Sequence, residues 1–271
     1  MAQLRRHAAL EQPARAALEA CHDDGAATSV AILIPSYREE PRVILQTVLS
    51  AALAEYPARR VALLLDDPPH GAPAQMQALR DARDMIADLD ARFAAQVSRM
   101  SAAPAADPAV EVARLALLYD GAADFVAALG AQFRRTSSAA FAHADAVFLR
   151  EVIEALESRH RARAARLRGD PAPAAGMLAH ERRRLASLFD CPIASFERKR
   201  FANLSHEPNK AMNLNAYIGL LGQAWRIAPA EAGRPGLHAC AAAEADLVVP
   251  DAEYVLTLDA DSIICRSLYL I

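Results

Sequence analysis

Val30-Ala-Ile-Leu-Ile34 is a short apolar run, β-branched in part and closed by Pro35, and it reads as a strand buried on both faces. After Pro41, Val43, Ile44, Val48, Leu49 and Leu53 recur at helical spacing, and Pro57 closes that segment. Val61-Ala-Leu-Leu-Leu65 repeats the buried-strand pattern and runs into Asp66-Asp67-Pro68-Pro69. Strand, helix and strand with short returns form a βαβ unit, which predicts a parallel sheet with a right-handed crossover. The fold class read from these residues is α/β.

Outward from this unit the pattern changes. Across 73–192 strand signals nearly vanish and helix formers dominate. Met76, Leu79, Ile86, Leu89, Phe93, Val97 and Met100 fall largely at three- and four-residue steps, the stripe of one amphipathic helix. The proline-containing stretch 101–108 breaks it. Further helices are predicted over 109–129, 139–167 and 175–189, with Gly169-Asp170-Pro171 separating the last two. Arg159, Arg161, Arg163, Arg166, Arg168, Arg182, Arg183 and Arg184 form a basic run here; with Ala, Leu and Glu interspersed, its ordinary reading is a solvated helix face. The α/β pattern resumes near Arg200: a strand is predicted at 201–204, and a helix at 209–221 with Met212, Tyr217, Ile218 and Leu221 inward. The stretch 228–250 reads as loop with some helix. Tyr254-Val-Leu-Thr-Leu258 is the last strand and leads straight into Asp259.

The 271 residues, 54% hydrophobic and 23% charged, are ample for a buried core, and a formal net charge of −3 offers no support for a nucleic-acid binder. Cys21, Cys191, Cys240 and Cys265 are far apart without CxxC spacing, which argues against a zinc site or a disulfide framework and for a reducing setting. The first twenty residues lack the continuous apolar core of a signal peptide, and no run reaches the ~18–20 apolar residues of a membrane span. The chain as given is expected to be soluble or peripheral.

Four segments contain residues suited to chemistry. In an extended segment Asp259 and Asp261 point to one face, at the C-terminal end of a parallel strand, where open α/β sheets place ligands. Two hard oxygen donors there suit Mg²⁺ or Mn²⁺, above all an ion that also bridges a diphosphate; the bland reading is a solvated turn. Asp66 and Asp67 end another strand on the same edge, where a carboxylate accepts from a nucleobase or ribose, or forms an ordinary Asp-Pro turn. Pro35-Ser-Tyr-Arg-Glu-Glu-Pro41 follows the first strand: Tyr37 can stack on a base and Glu39 can orient a ribose, or the Glu merely favours the next helix start. Lys210 lies in the first turn of the helix after Ser205-His-Glu-Pro-Asn209, against the dipole's preference, which makes sense beside a phosphate and otherwise describes a solvent-exposed lysine.

The order PSYREE, LLLDD, NKAMNLN, LTLDADS resembles the family 2 glycosyltransferases of the cellulose-synthase-like and poly-N-acetylglucosamine-synthase-like type, over about 30–65 and 201–264. The resemblance implies a GT-A-type, Rossmann-like parallel sheet interrupted by a large all-helical insertion. The corresponding parts are 1–72 (first βαβ unit), 73–192 (insertion) and 193–271 (second part of the nucleotide-binding half). It further implies that Tyr37 and Glu39 line a nucleotide pocket, that Asp66 or Asp67 contacts uridine, that Lys210 lies near the nucleotide, and that Asp259 and Asp261 hold Mg²⁺ or Mn²⁺ on the diphosphate. Asn213 and Asn215 match the motif with structural roles. Arg38 replaces the family's Asn, with little effect expected; Pro68 and Pro69 replace its glycine.

The implied reaction is inverting transfer from a UDP-linked sugar to a glycan acceptor. By the same resemblance the catalytic base and a QxxRW motif belong beyond Ile271, so no catalytic residue is assigned within the chain. The sheet is expected to be incomplete and the chain alone inactive. The missing part would often include membrane helices, placing the full protein on the cytoplasmic side of a membrane. Two rivals remain: a non-catalytic nucleotide-sugar-binding module, and a peripheral membrane- or partner-binding protein built on the arginine-rich helices.

Overall fold

The computed structural model describes residues 19–22, 27–101, 103–135, 139–170, 173–230 and 234–264; the opening segment 1–18, Pro171 of the expected helix break and Cys265 lie outside them. In chain order β1 (Val30–Ser36), α1 (Pro41–Ala52) and β2 (Arg59–Leu65) are followed by α2 (Pro73–Met100), α3 (Pro108–Arg135), α4 (Ala142–Phe148), a π-helical stretch (Leu149–Glu154), α5 (Ala155–Gly169) and α6 (Ala175–Leu188). Then come β3 (Ile193–Phe196), α7 (Lys210–Ile218), β4 (Gln223–Pro229), β5 (Pro235–Ala239), β6 (Leu247–Val249) and β7 (Tyr254–Thr257).

The class is α/β, mostly helical, around a four-stranded sheet of order β3-β2-β1-β7 in which every pairing is parallel. Alternation along β1 supplies both faces. Ala31 and Leu33 join a core with Phe196, Phe201, Tyr217, Leu237 and Val249; Val30, Ile32 and Ile34 join a second core with α1 and the helical block. A strand covered on both sides must be apolar throughout, which is why 30–34 and 61–65 read so clearly. Phe93 of α2, Phe133 of α3 and Leu185 of α6 belong to the same continuous core as Ile32 and Ile34. At Gly130 of α3 an added Cβ would meet Ile153 Cγ2 at 2.6 Å, so α3 lies against the π-helical stretch at a distance that only glycine permits.

Several expectations are corrected. No strand forms at 201–204; the strand is β3, at Ile193–Phe196, followed by a 3₁₀ turn at Arg198–Arg200. The stretch 228–250 keeps loop and a 3₁₀ helix at Ala242–Glu244, but it also contributes β5 and β6, which with β4 make a small antiparallel sheet of order β5-β4-β6. On α7, Ile218 is exposed, and Asn213 and Leu220 are buried in its neighbourhood. β7 has its pairing partner on one side, and Tyr254 and Val255 are exposed along it.

The basic run is only in part a solvated face: Arg161, Arg166 and Arg168 are exposed, whereas Arg163 and Arg184 turn inward. Arg184 is fully buried, bonded to Glu55, with Glu19 at 3.1 Å. Arg163 and Arg166 both reach Glu181, whose other oxygen accepts from the Tyr119 hydroxyl at 2.5 Å. Arg59 donates to Ala52 O and to Leu188 O, so one guanidinium satisfies the terminal carbonyls of both α1 and α6. Such pairs offset their own desolvation and add little net stability, but losing one partner is costly.

His160 is fully buried among these charges, beside the Tyr119 ring at 5.9 Å, and neither ring nitrogen has a partner among the described residues. Burial pushes its pKa down to about 4 against the pull of Glu55, with Arg184, Arg159 and Arg163 adding to the depression. The folded protein therefore holds a neutral imidazole where the unfolded chain takes up a proton. Above about pH 6.5 this has no effect; as pH falls from there toward 4, stability drops by up to about 1.4 kcal/mol per pH unit. The urea midpoint of wild type should fall faster over that range than that of His160→Leu. Identical slopes would contradict this reading.

Candidate functional site

The chain steps outward from β1 to β2 and β3, then returns to pair β7 on the opposite side of β1. The reversal makes a topological switch point at the C-terminal ends of β1 and β7, where open α/β sheets form their ligand crevice. The opening there has a local cause. Leu258 N–H donates to Leu33 O at 3.0 Å, and the ladder's next bond would need the N–H of residue 35. Residue 35 is proline, with no N–H, so pairing toward β7 stops while pairing toward β2 continues to Ser36 and Leu65. The strands separate, and a cleft of about 470 Å³ lies between their ends.

The cleft is lined by Ser36 at the end of β1, Tyr37 and Glu39 after it, Asp66 after β2, Asn209, Lys210 and Asn213 of the α7 start, and Asp259 and Asp261 after β7. Of the sequence-predicted residues, only Asp67 stands outside this lining.

Asp259 and Asp261 reach the cleft by a different route from the one expected. β7 ends at Thr257, and Ser262 N–H donates to Asp259 O at 2.9 Å, so the triplet is a turn and not an extended segment. Ala260 is buried beneath it, and its carbonyl accepts from the buried Thr47 hydroxyl of α1 at 2.7 Å. One helical turn on, the Ser50 hydroxyl accepts from Ile264 N–H at 3.0 Å. With the middle residue pinned inward, both exposed carboxylates are left on the open side.

Asp66 and Asp67 have separate tasks. Asp66 accepts from Arg198 Nε at 2.7 Å, with Lys199 Nζ 3.3 Å away. Arg198 is fully buried, and its other nitrogens donate to Ser205 O and Glu207 O. That guanidinium ties the end of β2 to the loop that enters α7. Asp67 accepts the Arg38 backbone N–H; burial pushes its carboxyl up, and that hydrogen bond holds it back in part.

The bond serves a strained residue. Arg38 has φ 58°, the one positive φ at a non-glycine among the described residues, in the region where asparagine is enriched. An effect of arginine at this position is therefore expected, contrary to the sequence-based reading. Its guanidinium lies 5.0 Å from the half-exposed Tyr37 ring, and Lys199 Nζ lies 5.6 Å from that ring.

Lys210 is the first residue of α7. Asn209 caps that helix by accepting from Ala211 N–H at 2.8 Å, and the Lys210 ammonium pairs with Asp259 across the cleft. Asn213 donates from Nδ2 to Leu64 O at 2.9 Å, which bears out its structural role; Asn215 is exposed.

Two residues were not singled out from sequence as ligands. Ser36 Oγ and Asn213 Oδ1 are buried, line the cleft and have no hydrogen-bond partner among the described residues. An orphaned buried polar atom costs about 1–3 kcal/mol, so a pair of them in one crevice points to a polar ligand that satisfies both. Strand alternation alone gives no such signal, because it does not say which polar side chains lack partners.

Among the described residues no three His, Cys, Asp or Glu side chains gather to hold a metal ion. Two carboxylates with open positions do not make a closed zinc-type cage. They suit a hard divalent ion that takes its remaining ligands from water and a bound phosphate. Compared with known proteins, the chain matches no family model, no curated protein and no solved structure.

Two substitutions check this geometry. Arg38→Asn should raise stability by about 0.5–1 kcal/mol in thermal or urea unfolding, since asparagine tolerates that backbone better. Asp66→Ala should lower it by about 3–5 kcal/mol by stranding the buried Arg198 charge.

Proposed function

We propose that the chain is the nucleotide-sugar-binding part of an inverting, metal-dependent glycosyltransferase with a GT-A-type sheet and a UDP-linked donor. The observation that carries this is the meeting of the four segments 35–39, 66, 208–213 and 259–261 in one cleft at the switch point of the sheet. Each segment alone has an ordinary structural reading; their convergence with two orphaned polar atoms favours a bound ligand.

Asp259 and Asp261 would hold Mg²⁺ or Mn²⁺. Bound there, the ion would neutralise charge developing on the leaving diphosphate. The chain's own residues do the rest of donor binding. The α7 N-terminus offers backbone N–H groups and the Lys210 ammonium to phosphate oxygens. Tyr37 offers a half-exposed ring for base stacking, with the Arg38 and Lys199 cations close to it. Asp66, held by Arg198, presents its remaining acceptor capacity to an imide N–H, and Glu39 reaches ribose hydroxyls. The Ser36 hydroxyl and the Asn213 carbonyl oxygen take ligand hydroxyls at the cleft floor.

The membrane- or partner-binding reading of the arginine-rich helices is less well supported. Arg163 and Arg166, which line a shallow hollow beside α5 and α6, are engaged by Glu181, and Arg161 and Arg168 by Asp120. Among the described residues no helix is long and apolar enough to cross a membrane.

Calorimetry with UDP and Mn²⁺ tests the proposal. Wild type should bind UDP in a Mn²⁺-dependent manner, and the double variant Asp259→Ala/Asp261→Ala should lose at least about tenfold in affinity. Metal-independent binding, or binding indifferent to the double substitution, would overturn it.

A further inference from the structure

Lys210 and Asp259 each have a task in ligand binding, yet in the structure they are bonded to each other. The ammonium occupies the position beside Asp259 that a divalent ion would take. The carboxylate in turn occupies the ammonium of the first residue of α7, a group that a phosphate would otherwise engage. The cleft thus contains one built-in cation beside a metal-ligand candidate and one built-in anion on the ammonium that a phosphate would engage.

We infer that this pair is an internal stand-in for a metal–diphosphate complex, and that the cleft takes the metal and the diphosphate together by exchange of ion pairs. The inference rests on the nucleotide reading above and goes beyond it by specifying the form of the ligand. A bare divalent ion must displace the ammonium and then tolerate it as a like-charged neighbour. A bare diphosphate must displace the carboxylate and tolerate it likewise. The metal–diphosphate complex gives each group a new partner at once: Asp259 passes from ammonium to metal, and Lys210 from carboxylate to phosphate.

Magnitude makes the exchange feasible. Both side chains are more than half exposed, and an exposed pair is weak enough to yield to a divalent complex. The buried Asp66–Arg198 pair, by contrast, is built to stay. Lysine at the first helical position, unfavourable against the dipole, is balanced by Asp259 in the unliganded cleft and by phosphate in the liganded one. The metal and the diphosphate must then raise each other's affinity by the same factor.

The test is equilibrium binding on the full 271-residue chain, reading free Mn²⁺ by electron paramagnetic resonance and UDP by calorimetry. Lys210→Gln should bind Mn²⁺ alone about five- to tenfold more tightly than wild type, and should bind the Mn²⁺–UDP complex more weakly. In EDTA, Asp259→Asn should bind UDP several-fold more tightly than wild type. Asp261→Asn, which removes a like charge without releasing Lys210, should gain less. No gain in bare Mn²⁺ affinity for Lys210→Gln, or equal gains for the two Asp variants in EDTA, overturns the exchange. Failure of wild type to bind Mn²⁺–UDP while it binds Mn²⁺–pyrophosphate overturns the nucleotide reading and leaves the exchange standing; failure to bind either complex overturns both.

Discussion

β1 must pair on both sides to hold the sheet together, and at Pro35 it can no longer pair on one of them. Leu33 still accepts from Leu258, but residue 35 has no N–H to continue that ladder, whereas the β2 side runs on through Ser36. This asymmetry opens the switch point. Loops that would otherwise continue as strands turn away, and the residues at their ends face a common crevice. α1 completes the arrangement from below: Thr47 and Ser50 hold the turn after β7, so that Ala260 is inward and its two acidic neighbours are outward. The carboxylate pair is therefore positioned by a missing hydrogen bond on one side and two side-chain hydrogen bonds on the other.

Around this crevice the protein uses ion pairs in two ways that differ by burial. In the helical block and behind the cleft, pairs such as Arg184–Glu55 and Arg198–Asp66 are removed from water and fix one geometry, because either partner alone would be an uncompensated buried charge. On the cleft surface the Lys210–Asp259 pair is solvated and exchangeable. Rigidity therefore lies in the wall of the site and exchange at its mouth. The helical block shares one hydrophobic core with the sheet, so its packing and the shape of the crevice wall are linked through residues such as Phe93 and Ile34.

How much of this could be read from sequence follows from how each element is buried. β1 and β2 are covered on both faces, so they appear as unbroken apolar runs, and the long helix α2 shows its apolar stripe. β3 is only Ile193-Ala-Ser-Phe196, four residues with an exposed position in the middle, and no periodicity can emerge from so short a segment. β4, β5 and β6 are half-solvated antiparallel strands containing Pro229, Pro235 and Gly236, residues that ordinarily mark loops. Within the site, the acidic strand ends and Lys210 were legible because their positions follow from element order. The orphaned Ser36 and Asn213 atoms, the left-handed backbone at Arg38, the turn at Asp259–Asp261 and the Arg198 tie were not, since each depends on contacts between segments far apart in the chain.

The central claim is that the crevice at the β1/β7 switch point holds a divalent ion on a nucleotide diphosphate. Anomalous scattering from Mn²⁺ in crystals grown with UDP tests it most directly. The expected result is one peak within about 2.2 Å of a carboxylate oxygen of Asp259 or Asp261. The diphosphate should lie at the α7 N-terminus, with the Lys210 ammonium moved from Asp259 onto it. Nucleotide bound elsewhere, or bound in this crevice with no manganese at either aspartate, would contradict the claim.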